Sequence, residues 1–114
     1  MHEMPIVLNV VDSMDDYAEV NNIDQISSVK MEIGELTPVV PEYFRSFWQY
    51  AVSRSKHLKQ AELLIDVIPG IVRCSDCGKM YNLPENDGIC PNCESNAWTL
   101  ISGRQVQIKE IYVE

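Results

Sequence analysis

Four cysteines in the second half of the chain constrain the fold more than any other feature of the sequence. They are Cys74, Cys77, Cys90 and Cys93, in the pattern C-x2-C-x12-C-x2-C. Two residues between paired cysteines allow both sulfurs of a pair to reach one tetrahedral ion. Four thiolates with no histidine and no water form a closed site, which is structural rather than catalytic, and Zn²⁺ is the expected ion. The pattern therefore predicts a zinc-binding domain over residues 71–103.

This segment contains few large apolar residues, so we expect it to fold only with its metal, whose binding stabilises comparable small sites by on the order of 10 kcal/mol or more. Two alternatives stay open. Iron in a rubredoxin-like centre is the first, because four thiolates also hold iron. The second is a zinc ribbon that contacts nucleic acid or a polymerase, although only Arg73, Lys79 and Arg104 supply positive charge near the cysteines.

The charge balance argues against nucleic acid as a partner. The chain has 114 residues, with 17 acids against nine bases and a formal net charge of −8. Nucleic-acid binders display clustered Lys and Arg, whereas an acidic surface suits metal cations or basic proteins. No apolar run approaches the ~20 residues of a membrane helix, and no signal peptide is evident. We expect a soluble cytoplasmic protein of one domain with a small appendage.

Two stretches have helical periodicity. Over residues 4–20 the apolar side chains fall within one arc and acidic side chains fill the opposite one, which predicts an amphipathic helix. Pro5 lies in its first turn, where the missing N–H is harmless. A second helix is predicted from about Pro41, with a broad aromatic stripe. His57 follows in the polar stretch SRSKHLKQ and is predicted to be solvent-exposed.

Three stretches alternate between apolar and polar residues, as strands with one solvated face do. The first contains Val29, Met31 and Ile33, the second is AELLIDVI before Pro69-Gly70, and the third ends the chain with Val106, Ile108 and Tyr112 predicted on one face. The order α-β-α-β, cysteine insert, β predicts an α+β fold. We expect a small two-layer sandwich of about three strands and two helices, formed by residues 1–70 plus 104–114, with an inserted zinc-ribbon-like four-Cys domain.

The chain opens with MHE, which offers a second metal site. Histidine is too large a second residue for removal of Met1, so we expect the α-amine of Met1 to remain beside His2. This amine, the deprotonated amide of His2 and its imidazole can chelate one ion, and Ni²⁺ and Cu²⁺ favour such nitrogen sites. The fourth donor is the amide or carboxylate of Glu3, or a group elsewhere. By spacing alone, an exposed His2 without a metal is the commoner explanation.

The opening MHE and the late paired CxxC motifs together resemble the hydrogenase maturation nickel metallochaperones, the HypA/HybF family. The resemblance covers essentially the whole chain, through IGEL after the first strand, P-E at the start of the second helix and the final strand. It implies that nickel binds as cargo at the N-terminus through His2 and nearby backbone nitrogens, with Glu3 tuning the site. It also implies structural zinc at the four cysteines, and residues 1–70 plus 104–114 as the nickel-binding domain.

The same resemblance implies the partners. Such a chaperone works with an accessory nickel-handling GTPase and delivers nickel to the large subunit of a nickel–iron hydrogenase, and some members also serve urease. One departure concerns the turn before the second helix, where some relatives carry another carboxylate. Here the turn reads LTPVVPE, with no acid between Glu35 and Glu42, so the fourth nickel donor stays open.

The sequence favours a binding and delivery protein over an enzyme. No Ser/His/Asp or Cys/His set is evident, and no Gly-rich phosphate loop is present, so nucleotide chemistry would belong to a partner. Pairing of two chains by domain swapping stays open, because a short strand lies between two proline-rich turns.

Overall fold

Two helices form one layer of the fold. The structure is a computed structural model that describes residues 3–113. Helix α1 spans Glu3–Val20 and α2 spans Pro41–Ser53, in agreement with the predicted helices. The strands, numbered in chain order, are β1 Ile26–Gly34, β2 Glu62–Ile68, β3 Ile71–Cys74, β4 Met80–Asn82, β5 Trp98–Leu100 and β6 Val106–Val113. Neither helix within residues 3–113 is long and apolar enough to cross a membrane.

A mixed three-stranded sheet in the order β2-β1-β6 forms the other layer. β1 pairs parallel with β2 and antiparallel with β6, and α2 makes the crossover that a parallel pair needs. The predicted alternation in β1 is confirmed, because Val29, Met31 and Ile33 are at most 1% exposed. On the other face Lys30 lies 3.6 Å from Asp66 of β2 in an ion pair.

A β-bulge in β6 changes which of its residues reach the core. Ile108 pairs with Met31. Regular pairing would then place Lys109 opposite Lys30, but Glu110 lies there instead, so Lys109 is the inserted residue. The inserted residue shifts the alternation, so that Ile111 packs against the core and Tyr112 is 42% exposed. The prediction that Tyr112 shares the inward face of Val106 and Ile108 is therefore wrong.

The prediction of an exposed His57 is also wrong. Its side chain is buried because the stretch after α2 folds back against the end of α1. The backbone N–H of His57 donates to Asp15 of α1 over 2.9 Å, and both ring nitrogens lie within hydrogen-bond distance of oxygen atoms of Glu19 and Asp24. The polar segment after α2 is thus joined by hydrogen bonds to the end of α1 and to the residues that follow it.

The cysteine segment has a sheet and a core of its own. β3 is central, and both β4 and β5 pair with it antiparallel. Its buried residues are Val72, Cys74, Tyr81 and Cys90, supported by Leu83, Trp98 and Leu100. None of them belongs to the larger core between the helices and the first sheet. The two apolar cores are therefore separate within the part of the chain that the structure describes.

The two sheets meet at a junction formed by Gly34, Glu35, Gly70, Asn82 and Gly103. A side chain at Gly34 would overlap the backbone carbonyl of Gly103, so the strands can approach only through glycine at this position. Oε1 of Glu35 accepts a hydrogen bond from the Gly70 N–H at 2.8 Å and another from the Asn82 side chain at 2.9 Å. Glu35, within the IGEL stretch, thus connects the end of the first sheet to β4 of the second.

Candidate metal centres

Two knuckle-like turns position the four cysteines. In the first, which follows β3, the N–H of Gly78 donates to the carbonyl of Cys74 at 3.0 Å. In the second, the N–H of Glu94 donates to the carbonyl of Cys90 at 2.9 Å. Gly78 and Glu94 both have positive φ, +82° and +65°. The left-handed conformation is easy for Gly78 in the first turn, whereas in the second turn a residue with a side chain, Glu94, adopts it.

The sulfur atoms have the separations that a tetrahedral ion requires. All four Sγ atoms lie within 4.8 Å of one another. Across the two turns, Cys74 Sγ is 3.5 Å from Cys93 Sγ, and Cys77 Sγ is 3.6 Å from Cys90 Sγ. Metal–sulfur bonds of about 2.3 Å in a tetrahedron separate the sulfurs by about 3.8 Å. The donor set therefore fits one thiophilic divalent ion, with all four coordination positions filled by protein.

The surroundings favour thiolate at two of the four positions. The Asn92 side chain, followed by the backbone N–H of Lys79, lowers the pKa of Cys77 to about 6. The backbone N–H groups of Cys77 and Asp76 also lower the pKa of Cys74, against the effect of burial. Hydrogen bonding to sulfur stabilises the charged form, which is the form that binds a metal.

Crowding has the opposite effect at Cys93. The backbone N–H of Ser95 lowers its pKa, but the neighbouring Cys74 sulfur, burial and the other two cysteines together raise the pKa of Cys93 to about 12. Closely spaced thiols resist ionising together because their negative charges repel. A bound divalent cation removes that repulsion, so the cluster has the electrostatics of a metal site.

The cluster lies near the surface. Cys74 and Cys90 are buried, whereas Cys77 and Cys93 are exposed. One face of the site is therefore backed by the small core around β3, and the other is accessible to an entering ion. The Asn92 N–H also lies 3.4 Å from Cys90 Sγ, as expected for a tight turn that directs N–H groups at sulfur.

The N-terminal candidate site lies only partly within the described residues. Met1 and His2 lie outside them. Glu3 is the first residue of α1, and its side chain is 2% exposed. Its Oε2 accepts a hydrogen bond from the backbone N–H of Val40 at 2.9 Å. The structure thus brings Glu3 to the turn before α2, a contact that could not be predicted because the donor is a backbone N–H of a residue with an apolar side chain.

A protein-family model described as "Hydrogenase/urease nickel incorporation, metallochaperone, hypA" matches residues 1–113. The chain belongs to the HypA family. This identification confirms the resemblance drawn from MHE and the paired CxxC motifs. HypA proteins are metallochaperones rather than enzymes, and they act in nickel incorporation into hydrogenase and urease, which implies partner proteins. The predicted α+β fold, with two helices, small sheets and four clustered cysteines, is confirmed as well.

Individual HypA relatives match over the full length of the chain. The hydrogenase maturation factor HypA of Chlorobium luteolum is 34% identical over 114 residues, which cover 100% of this chain and 97% of that protein. HypA of Nostoc is also 34% identical over 114 residues and covers 100% of this chain and 96% of its own.

Two solved structures share the fold. The solution structure of the Ni metallochaperone HypA from Helicobacter pylori has a TM-score of 0.69 at 24% identity and covers 99% of this chain and 97% of its own. A second solution structure of a HypA protein has a TM-score of 0.72 at 23% identity, with 100% and 97% coverage.

Proposed function

We propose that this chain binds Ni(II) as cargo at its N-terminus and delivers it for hydrogenase maturation, while zinc at the four cysteines has a structural role. The observation that carries this proposal is the family match, which spans residues 1–113 and therefore includes the opening MHE. The four-cysteine cluster supports it, because a filled thiolate site holds a metal permanently and leaves transient binding to another place.

The proposed nickel donors are nitrogen atoms at the start of the chain. They are the α-amine of Met1, the amide nitrogen of His2 and the His2 imidazole, with the fourth donor from Glu3. Ni(II) favours square-planar nitrogen coordination and can displace an amide proton. Binding therefore releases protons, and nickel affinity decreases as the pH falls. A site at a chain terminus also suits a carrier, because it is accessible to the protein that receives the ion.

Zinc is the proposed ion of the cysteine cluster, and residues 71–103 are proposed as the zinc-binding domain. Residues 1–70 plus 104–114 are proposed as the nickel-binding domain. The separate apolar cores of the two sheets support this division. Elemental analysis of the purified protein tests the metal: we expect one zinc per chain, and iron with the red colour of a rubredoxin-like centre would contradict this assignment.

The proposed partners are an accessory nickel-handling GTPase, the hydrogenase large subunit and urease accessory proteins. We propose that nickel is delivered in the cytoplasm, before the nickel enzyme is assembled. The support is the family description, which names hydrogenase and urease nickel incorporation.

Calorimetric nickel titration tests the proposed site. The proteins are the zinc-loaded wild type, His2→Ala and a version with one residue added before Met1. A version with one residue added after Glu114 is the matched control. We expect the control to bind as the wild type does, and the other two to lose high-affinity binding. The N-terminal extension is decisive, because it keeps every side chain and moves only the amine. Equal binding by all the proteins would refute an N-terminal site.

A further inference from the structure

Strand β6 has an outer edge that no other strand covers. Within residues 3–113 it is the last strand of the sheet β2-β1-β6, so only β1 pairs with it. It spans Val106–Val113, eight residues without a proline. A long uncovered edge presents unpaired backbone N–H and C=O groups to which another extended chain can add. The outer side of β6 is therefore a place where a further strand can join this sheet.

The one lysine of β6 does not shield this edge. Charged side chains, lysine above all, are a common protection of edge strands. Here Nζ of Lys109 lies 3.6 Å from Asp66 of β2 and 4.0 Å from Glu32 of β1. The Lys109 side chain therefore runs back across the solvated face of the sheet and leaves the backbone edge accessible.

An apolar seam runs along β6 on the opposite face, where this strand meets α1. It consists of side chains that remain at least partly accessible, Val10, Met14 and Tyr17 of α1 with Val106, Ile108 and Ile111 of β6. Two cavities of about 240 and 210 Å³ lie along the seam, and Ile108 lines both. A strand added at the edge would cover the seam with its own core-facing side chains, and such burial of apolar surface favours association.

β6 is complementary to itself in one antiparallel register. When Lys109 lies opposite Glu110 of a second copy, two-fold symmetry repeats the same pair with the copies exchanged. This register also sets Ile108 opposite Ile111 of the second copy, again twice. Residues directly opposite each other in an antiparallel pair stand on the same face and interact. Opposite charges therefore meet on one face, and aliphatic side chains meet on the other.

The bulge in β6 is what allows this register. Lys109 lies on the solvated face, and so does Glu110, which is opposite Lys30, whereas Ile108 and Ile111 pack against the core. In a strand without a bulge, neighbouring residues such as Lys109 and Glu110 would lie on opposite faces and could not pair. A shift of the register by one residue would put core-facing Ile108 opposite solvent-facing Glu110. The face pattern of β6 therefore matches itself about the midpoint between Lys109 and Glu110.

We propose that two copies of this chain associate through β6 in this register, as a two-fold symmetric dimer. Its sheet has six continuous strands in the order β2-β1-β6-β6-β1-β2. The symmetry axis is perpendicular to the sheet, so both α1 helices lie on one face and Ile108 and Ile111 of each copy cover the seam of the other. This interface uses neither the cysteine cluster nor the proposed N-terminal nickel site.

Reversal of the two central charges tests the register. Sedimentation equilibrium of the zinc-loaded full chain, from micromolar to millimolar concentration, measures association in about 0.15 M salt, which screens exposed charges more than about 8 Å apart. We expect the wild type to dimerise. Lys109→Glu and Glu110→Lys each put like charges opposite each other twice, and each should raise the dimer dissociation constant at least about tenfold. Lys59→Glu is the matched control, because it reverses an exposed charge outside β6 and should dimerise as the wild type does.

A mixture of the two single variants is the decisive sample. The Lys109→Glu chain has two acids at the centre of β6, and the Glu110→Lys chain has two bases there. Their mixture therefore pairs opposite charges at both positions, and we expect a one-to-one heterodimer about as stable as the wild-type dimer. The double variant Lys109→Glu with Glu110→Lys should dimerise again for the same reason. Circular dichroism checks that each variant is folded.

Three results would overturn the proposal. The first is a wild type that stays monomeric at millimolar concentration. The second is a dimer that persists equally in both single variants, as a domain-swapped dimer would. The third is a mixture of folded single variants that stays monomeric. If a variant does not fold, isotope-filtered NMR of half-labelled wild type decides: we expect contacts between Ile108 of one copy and Ile111 of the other, and their absence from a dimeric sample would place the interface elsewhere.

Discussion

The imidazole of His57 lies between two acceptors, with Nε2 2.7 Å from a carboxylate oxygen of Glu19 and Nδ1 2.8 Å from the carbonyl oxygen of Asp24. Neither partner can donate, so both hydrogen bonds form together only when both ring nitrogens carry a proton, as in the imidazolium. The Asp24 carbonyl, and then Glu19, raise the pKa of His57. Two other charged groups border this contact: Asp15 accepts the His57 backbone N–H, and Lys56 lies 3.1 Å from Glu19.

The first prediction is that this contact makes folding stability depend on pH. The pKa of His57 is raised in the folded state. Its contribution to folding stability is therefore fully present below the unfolded-state pKa of about 6.5, and it is lost as the pH rises through the folded-state pKa. Hydrogen bonding from His57 lowers the pKa of Glu19, so the Glu19 contribution is lost only as the pH falls through that lowered value. We expect His57→Gln to be less stable than wild type at about pH 6, with a difference that shrinks by about pH 8.5.

Urea unfolding of the zinc-loaded proteins across this range measures the difference. Lys30→Gln is the matched control, since it breaks the ion pair with Asp66 on the other face of the sheet, and Lys30 is not among the groups that shift the pKa of His57. Its difference from wild type should stay constant. An NMR titration that places the folded-state pKa of His57 at or below 6.5 would contradict the prediction.

The second prediction concerns removal of the metal. A chelator should abolish the amide dispersion of residues 71–103, because the small core around β3 cannot replace binding worth on the order of 10 kcal/mol. The sheet of β1, β2 and β6 should stay folded on its own core. Nitrogen–proton NMR spectra before and after chelation, with zinc added back as the control, measure both effects. A chelated sample with an unchanged spectrum in 71–103 would be inconsistent with a structural metal.

The third prediction concerns the junction between the sheets. Glu35→Ala removes the acceptor for both the Gly70 N–H and the Asn82 side chain, whereas Asn82→Ala removes only the second bond. We expect the two sheets to move more independently in Glu35→Ala and to change less in Asn82→Ala. Nitrogen-15 relaxation should give one rotational correlation time for wild type and two for Glu35→Ala. A single correlation time in Glu35→Ala would show that the glycine contacts alone hold the junction.

Features governed by local chemistry could be predicted from the sequence. The spacing of the cysteines is set by tetrahedral coordination, so C-x2-C pairs indicate a shared ion whatever the rest of the chain does. The alternation through Val29, Met31 and Ile33 follows from burial of one face of β1. Neither depends on knowing how distant segments approach each other.

Contacts between distant segments could not be predicted in this way. Glu19 and His57 are 38 residues apart, and Glu3 and Val40 are 37 apart. In both pairs a polar side chain becomes buried because the tertiary structure supplies its hydrogen-bond partner. A local sequence pattern cannot indicate such a partner. His57 was therefore predicted to be exposed within SRSKHLKQ, and Glu3 was considered only for the nickel site.

The bulge in β6 gives the last prediction. Alternation from Val106 and Ile108 would put Tyr112 against the core, but the inserted residue puts Ile111 there instead. Ile111→Ala should therefore reduce the free energy of unfolding by about 1–2 kcal/mol, as expected for a partly buried aliphatic side chain. Tyr112→Ala, at a side chain that is 42% exposed, should have a much smaller effect. Urea unfolding of the zinc-loaded variants compares the two, and a larger loss for Tyr112→Ala would mean that β6 pairs with β1 without the bulge.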